Sequence, residues 1–309
     1  MIIKLDSLPD LEPYFWSDYL EFRALVSADK CFSRGELASL MRAQAVPGSR
    51  DLCDQRWSFA IQFIETRIAL FGADYPFYFS ADKDTIYLKY ELYDDYNKIE
   101  KLYLALLICS NIKYITPNRR NEITNSFEKI SFPIFKNLMP VGATVNHCWA
   151  SAGAQGVYTG LLYDKMVKIA SDIRCTANFT PNHFKPGDRG DGGIDILAWH
   201  DMGDNRDSIP IALAQCGCSK DEWVIKQLEA SPAKLWTMLP ANHPWATYYF
   251  LPQDLRWQQT DWAHKSDFGQ AIFVDRLRLI NLTRRDPTIS HHENIPYVAE
   301  LIAMEYIEA

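Results

Sequence analysis

The sequence predicts an α/β protein of two domains: a mainly α-helical N-terminal domain, residues 1–145, and a C-terminal domain, residues 146–309, with a mixed central sheet flanked by helices. Apolar residues recur at helical spacing through much of the first half. The second half alternates helical and extended patterns in the order helix, strand, strand, helix, strand, which is typical of a small α/β domain. The segment 135–156 mixes Pro, Gly and small residues without periodicity, which indicates a domain boundary near 145.

The N-terminal half begins with helical patterns and continues into a hairpin. Ser33 and Glu36 have the spacing of a capping box, and Gly72 follows a long apolar-periodic stretch as a helix C-cap would. In "YPFYFSADKDTIYLKYELY" two aromatic runs flank a polar turn, which predicts a β-hairpin. This order fits either a winged helix or a helical module that contacts a partner, and both interpretations stay open.

The C-terminal half contains the elements of the predicted sheet. The stretch "YTGLLYDKMVKIASDI" is an amphipathic helix, "IDILAW" a short strand, and "IPIALAQCGC" a continuous apolar run typical of a buried central strand. Ser219 and Glu222 have the spacing of a second capping box, which predicts a helix that begins at Ser219. Further on, "WATYYFLP" predicts a strand and "PYVAELIAMEYIEA" a terminal helix.

Composition restricts the setting of the protein. The net charge is −7, so contact with nucleic acid must come from a local basic patch and not from the whole surface. Seven cysteines, an odd number scattered over the chain, predict reduced thiols in the cytoplasm. The apolar run at 102–112 is too short to span a bilayer, so no membrane partner is expected.

Two polar residues stand at the ends of the two apolar runs of the C-terminal half. Asp195 follows a glycine-rich loop at the start of the first run, and Gln215 ends the second. If these strands pair antiparallel, the start of one lies beside the end of the other, and the two side chains meet at one edge. Carboxylate and amide oxygens are ligands for hard divalent cations such as Mg²⁺. The sequence therefore predicts a metal site at Asp195 and Gln215.

Two further residues belong to the predicted site. Asp164 lies among apolar neighbours on the preceding helix and is expected to complete the metal shell. Helical side chains lean toward the helix N-terminus, so Lys226 is expected to reach back over the strand end toward Gln215. Lys220 is the alternative, but it falls in the first helical turn, where a cation opposes the helix dipole.

The stretches "GLLYD" (160–164), "GDGGIDILAW" (190–199) and "ALAQC" (212–216) resemble the PD-(D/E)XK nuclease superfamily, close to its Mrr-like restriction endonuclease branch. The resemblance covers about 150–285. It implies a restriction-endonuclease-like core and hydrolysis of DNA phosphodiester bonds that depends on Mg²⁺ or Mn²⁺. Asp164 matches the helix acid of the family, Asp195 the metal-binding aspartate and Gln215 the second strand residue.

The sequence departs from the family pattern at Gly217, where a lysine is expected. Some members of the superfamily carry this lysine on the following helix, which makes Lys226 the expected replacement. The Gln-Cys pair followed by Trp-x-x-Lys is also similar to nuclease-like proteins found among antiphage systems, which suggests a role as a defence effector.

Two other functions stay open at this stage. The first is a catalytically inactive nuclease-like protein that binds nucleic acid. The absence of a lysine at position 217 favours this interpretation. The second is a protein-interaction subunit that binds a partner of a defence system through its N-terminal domain. Cleavage of both strands of DNA would suggest a homodimer.

Overall fold

A computed structural model describes residues 3, 5, 7–9, 12–149, 156–257, 261–286, 288–289 and 295–305. Over these residues the protein is mixed α/β and contains a mixed five-stranded sheet. The chain divides into two compact units. The first unit comprises Met1–Ile123, Pro252–Ala263 and Ser290–Ala309, and the second comprises Thr124–Leu251 and His264–Ile289.

The described residues form ten α-helices and ten strands. The helices are α1 (Pro13–Val26), α2 (Arg34–Ala43), α3 (Ser49–Phe71), α4 (Lys98–Ser110), α5 (Pro117–Leu138), α6 (Leu162–Asp172), α7 (Trp223–Lys226), α8 (Pro232–Leu235), α9 (Arg276–Arg285) and α10 (Pro296–Ile302). The strands are β1 (Cys31–Ser33), β2 (Phe77–Phe79), β3 (Thr85–Leu88), β4 (Thr144–His147), β5 (Ile196–Trp199), β6 (Ile211–Cys216), β7 (Ala246–Phe250), β8 (Arg256–Trp257), β9 (Asp261–Trp262) and β10 (Ile272–Val274).

The first unit contains the local features that its sequence predicts. Strands β2 and β3 form the predicted antiparallel hairpin, and β1 adds to it to give a sheet in the order β1-β3-β2. The capping box at α2 is confirmed, since Ser33 Oγ accepts the Glu36 N–H and Glu36 Oε2 accepts the Ser33 N–H. Gly72 caps the C-terminus of α3 with a positive φ of 58°. That conformation is one that glycine adopts at little cost.

A buried ionic network lies in the core of the first unit. Arg67, which is 0% exposed, forms ion pairs with Glu21 at 2.6 Å, Asp18 at 2.7 Å and Asp254 at 3.1 Å. The hydroxyls of Tyr75 and Tyr103 also donate to Glu21. Burial acts to lower the pKa of Arg67, but the surrounding charges, that of Glu21 foremost, outweigh it, and the guanidinium stays ionised. Arg67 therefore neutralises acids drawn from distant parts of the chain.

The second unit is built on the five-stranded sheet, whose order is β10-β7-β6-β5-β4. Strands β4, β5 and β6 pair antiparallel, whereas β6, β7 and β10 pair parallel. Helix α5 packs on one face, where Phe135 contacts Tyr248 and Phe250 with ring centroids 5.3 and 6.1 Å apart. Helix α6 packs its apolar side on the other face and joins a buried cluster with Leu197 and Leu213.

The division of the chain differs from the boundary expected near 145. Position 145 lies inside β4, which pairs with β5 along its whole length, so the second unit begins earlier, within α5. The polar and small residues of 140–149 suggested a linker, but they form an edge strand whose side chains are only partly buried. The terminal helix α10 belongs to the first unit and not to the sheet unit.

The helix predicted from Ser219 begins later than expected. Ser219 Oγ accepts the Glu222 N–H at 3.3 Å, as in a cap, but the residues up to Glu222 form turns and α7 starts at Trp223. Lys226 is consequently the last residue of a four-residue helix. Among the helices of the described ranges, none has both the length and the apolar character needed to cross a membrane.

The Arg67 network gives a stability prediction. Replacing Arg67 by Met removes the buried cation that pairs with Asp18 and Glu21 and leaves Asp254 paired with Arg256, so we expect the free energy of unfolding in urea to fall by about 3–5 kcal/mol. The matched control is Arg34→Met, because Arg34 pairs with Asp54 and Asp84 but is 45% exposed. An exposed ion pair contributes about 1 kcal/mol or less, so equal losses for the two variants would contradict the prediction.

Candidate functional site

Asp195 lies at the point where the loop enters β5. Its N–H donates to the Ala214 carbonyl at 2.9 Å, and its carbonyl accepts the Cys148 N–H at 2.8 Å. The Oδ2 atom accepts the Cys216 N–H at 2.6 Å, and the residue is only 3% exposed. The predicted antiparallel pairing of β5 and β6 is confirmed, with Ile196 opposite Ala214. The start of β5 therefore lies beside the end of β6, as the sequence predicts.

Gln215 lies next to Asp195 across the sheet. It follows Ala214, whose carbonyl accepts the Asp195 N–H, and the β6–β7 register pairs Gln215 with Tyr249. Residues directly opposite each other on adjacent strands project from the same face. Gln215 is buried, and its Oε1 atom has no hydrogen-bond partner within the described ranges. Gln215 and Tyr249 thus lie side by side on adjacent strands, on the face that α6 covers, while the Asp195 carboxylate binds a main-chain N–H at the end of β6.

The carboxylate of Asp195 lies in an environment that disfavours its charge. Burial raises its pKa well above the usual value, and the negative charges of Asp191 and Glu128 act in the same direction. The hydrogen bond from the Cys216 N–H opposes this effect, and Glu229 adds to it. A buried acid surrounded by further acids favours binding either a proton or a cation.

Glu128 is an acid of this cluster that comes from α5. It lies one helical turn before Ser131, whose side chain interacts with Cys216, and two turns before Phe135, which packs on the sheet. This spacing directs Glu128 to the end of β6. Burial, then the charge of Asp191, raise the pKa of Glu128 to about 7, and its buried Oε2 atom has no partner among the residues described.

The glycine-rich loop before Asp195 is held by specific contacts. Lys165 of α6 is buried and donates from Nζ to the Arg189 and Gly190 carbonyls, at 2.8 and 3.0 Å. Gly193 has a φ of +83°, and a Cβ at this position would lie 2.8 Å from the Glu229 Cβ. Only glycine fits both the conformation and the space. The loop therefore fixes the direction in which Asp195 enters the sheet.

Lys226 is placed on the same side of the sheet as Gln215 by Trp223, which packs against Phe273 at 5.8 Å. The Nζ atom of Lys226 forms an ion pair with Glu222 at 2.7 Å. Burial acts to lower the pKa of Lys226. The negative charges of Glu222, Glu229 and Asp195 outweigh burial, so the pKa of Lys226 lies above its usual value. Asp195 is the weakest of the charges that act on Lys226, and the direct partner of Lys226 is Glu222.

The other two predicted residues occupy more peripheral positions. Asp164 lies in the first turn of α6 and is exposed, unlike the buried Asp195. Lys220, the alternative to Lys226, pairs with its neighbour Asp221 at 2.8 Å. The helix acid that the structure brings to Asp195 is Glu128, from a part of the chain assigned to the N-terminal domain by sequence.

The donor atoms at the end of β5 and β6 match the preference of Mg²⁺ or Mn²⁺ for oxygen ligands. The described residues contain no ready-made group of three or more His, Cys, Asp or Glu side chains in metal-binding geometry. Asp195 and Glu128 nevertheless supply two carboxylates, and Gln215 Oε1 supplies an amide oxygen. Glu128 Oε2 and Gln215 Oε1 are buried and bind no described residue, which is unfavourable unless a cation or donor binds them.

Sequence reasoning missed Glu128 and Tyr249. Glu128 carries a weak linear signal, because it is a carboxylate one residue from a buried position in a run of apolar residues at helical spacing (Phe127, Ile130, Ile134). Tyr249 has no such signal. It belongs to an aromatic strand that reads as ordinary core, and only the parallel register brings it beside Gln215.

The raised pKa of Glu128 predicts a pH-dependent stability. A carboxyl group with a folded-state pKa of about 7 stabilises the fold while protonated, and the free energy of unfolding falls as pH rises from about 4.5 to 7. Glu128→Gln removes this dependence. We expect the variant to gain about 1–2 kcal/mol over wild type between pH 5 and pH 8 in urea titrations, a value reduced for partial exposure.

Glu122→Gln is the control for this measurement, because Glu122 is exposed on the same helix. If the free energy of unfolding changed with pH in the same way for wild type and Glu128→Gln, the raised pKa of Glu128 would be contradicted.

No family model, curated protein or solved structure matches this chain. The functional interpretation therefore depends on the geometry at the end of β5 and β6.

Proposed function

We propose that the second unit is a metal-dependent nuclease that hydrolyses phosphodiester bonds in DNA. The observation that carries the proposal is the buried Asp195 carboxylate at the end of β5 and β6, with Gln215 on the adjacent strand and the charge of Glu128 acting on Asp195 from α5. Two of these residues have buried oxygen atoms that no other described group binds. Such oxygens are suited to a hard divalent cation.

The architecture of the second unit supports the same proposal. Its mixed five-stranded sheet has α5 on one face and α6 on the other. This is compatible with the restriction-endonuclease-like core that the motifs of the sequence resemble. Asp195 and Gln215 stand on adjacent strands, as the resemblance expects for the metal-binding aspartate and the second strand residue.

Each residue has a distinct role in the proposed site. Asp195, Glu128 and Gln215 would hold Mg²⁺ or Mn²⁺, which would supply charge stabilisation for the phosphoryl group and a more acidic water. Gln215 Oε1 accepts a hydrogen bond from the attacking water. Lys226 contributes positive charge near the site. Glu128 takes the role of the helix acid, for which Asp164 was the sequence-based candidate.

A second candidate function is a nuclease-like protein that binds nucleic acid or a partner without cleaving it. The observation that favours it is the ion pair of Lys226 with Glu222, which engages the expected replacement for the motif lysine. This candidate predicts DNA binding without metal-dependent cleavage.

The main test is cleavage of plasmid DNA, single-stranded DNA and RNA by the full chain in Mg²⁺, Mn²⁺ or EDTA. We expect metal-dependent cleavage by wild type and a loss of about 1000-fold, or about 4 kcal/mol, in Asp195→Asn. We expect a comparable loss in Glu128→Gln, because both carboxylates are proposed to hold the ion.

Asp164→Asn and Lys220→Met are the matched controls and are expected to keep near wild-type activity. Full activity of Asp195→Asn would overturn these assignments. A loss of activity in Asp164→Asn together with full activity in Glu128→Gln would do the same. Binding of DNA without cleavage in either metal favours the second candidate function.

The predicted assembly can be measured with the same preparation. Light scattering with and without DNA reports whether the chain forms the homodimer expected of an enzyme that cuts both strands. Co-purification with products of neighbouring genes tests the proposed role as a defence effector with a partner at the first unit.

A further inference from the structure

Gly217 occupies the position where the resembled family has its lysine, and the structure explains why no side chain stands there. A Cβ at Gly217 would lie 2.0 Å from the hydroxyl oxygen of Tyr249 and 2.9 Å from its Cζ. The backbone is fixed at this point, since the Gly217 N–H donates to the Phe250 carbonyl at 2.9 Å. The space beside Gly217 is therefore filled by the phenol of Tyr249, and a lysine is sterically excluded.

The ring of Tyr249 is held by its packing, which fixes the position of its hydroxyl oxygen. It lies in β7, is 0% exposed, and its ring packs on Phe273 with centroids 5.8 Å apart. Its Oη atom is buried and has no hydrogen-bond partner among the described residues. A buried hydroxyl without a partner costs about 1–3 kcal/mol, so the position is maintained against a stability penalty. Such a penalty is common where a group serves a ligand.

The residue paired with Tyr249 on β6 also has a polar atom that no described residue bonds. Gln215 is paired with Tyr249 in the β6–β7 register, on the same face, yet its Oε1 atom has no partner in the described part of the chain. Gln215 supplies an acceptor and Tyr249 a donor. A water molecule that donates to one and accepts from the other satisfies both. Burial and the nearby groups Cys218, Cys216 and Asp195 raise the pKa of Tyr249, so the phenol remains a donor.

We propose that the Tyr249 hydroxyl replaces the missing motif lysine: it donates a hydrogen bond to the attacking water, which Gln215 Oε1 orients from the other side. This inference rests on the proposed nuclease function. No proton leaves the phenol. The O–H bond instead holds the water in place and stabilises the hydroxide that forms when the water loses a proton to solvent; the hydroxide oxygen then bonds to phosphorus, and the leaving oxygen of the DNA takes up a proton from solvent. Lys226, engaged with Glu222, contributes charge from further away and does not position the water.

The test compares Tyr249→Phe with Tyr248→Phe in the full chain. Tyr249→Phe keeps the ring packed on Phe273 and removes only the oxygen. We expect kcat for DNA cleavage to fall about 100-fold with KM unchanged, as for the loss of a single hydrogen-bond donor to a reacting oxygen. Tyr248 lies on the opposite face, against α5, and Tyr248→Phe is expected to keep wild-type kcat.

Thermal unfolding separates this role from a structural one. Because none of the described residues bonds the hydroxyl, we expect the Tm of Tyr249→Phe to equal or exceed that of wild type. A lowered Tm, or a wild-type kcat in Tyr249→Phe, overturns the inference. So does a fall in kcat for Lys226→Met that equals the fall for Tyr249→Phe.

Gly217→Ala provides a second, independent variant, since its methyl group displaces the hydroxyl. We expect the same fall in kcat, and no further fall in the double variant Gly217→Ala/Tyr249→Phe. Additive losses would show that the two positions do not act through one oxygen. If wild type cleaves DNA, Asp195→Asn does not, and Tyr249→Phe cleaves as well as wild type, then only the role of Tyr249 is overturned. If wild type cleaves no substrate, the proposed function is overturned as well.

Discussion

The arrangement of the candidate site depends on the antiparallel pairing of β5 with β6. This pairing places the first residue before β5 beside the last residues of β6, and the Cys216 N–H then binds the Asp195 carboxylate at 2.6 Å. The same β6 pairs parallel with β7 and so brings Tyr249 beside Gln215. A slip of one residue in either pairing would turn these side chains to the opposite face. The continuous apolar burial of β6 makes such a slip unfavourable.

The two units bury acidic groups by different means. In the first, Asp18, Glu21 and Asp254 pair with Arg67, and Asp254 also pairs with Arg256, so each of these buried acids contacts a cation of the protein itself. In the second, the pKa values of Asp195 and Glu128 are raised by burial and by further acids. Stability alone favours the first arrangement. The second is the kind of arrangement that functional sites maintain against stability.

Local sequence signals predicted the local structure well. The capping box of Ser33, the C-cap of Gly72 and the hairpin depend on a few neighbouring residues, and all are found. The adjacency of Asp195 and Gln215 followed from a single strand pairing. The helix expected at Ser219 starts later, because the cap hydrogen bond forms within turns. The edge strand β4 was missed because its exposed, polar residues obtain their order from pairing with β5. Glu128 and Tyr249 come from α5 and β7, and no short-range pattern reports which distant elements meet.

The close approach of Tyr249 to Gly217 has a consequence for how the site can change in evolution. A lysine at 217 collides with the phenol, while a smaller residue at 249 without that lysine leaves the position with neither group. A site with a lysine at position 217 and a site with a tyrosine at position 249 therefore differ by two substitutions, and each substitution is unfavourable alone. If Tyr249 has the role proposed for it, this chain carries the function of the motif lysine on a residue 32 positions further along the sequence. A search for the linear motif would then find the lysine missing, whether or not the protein is active.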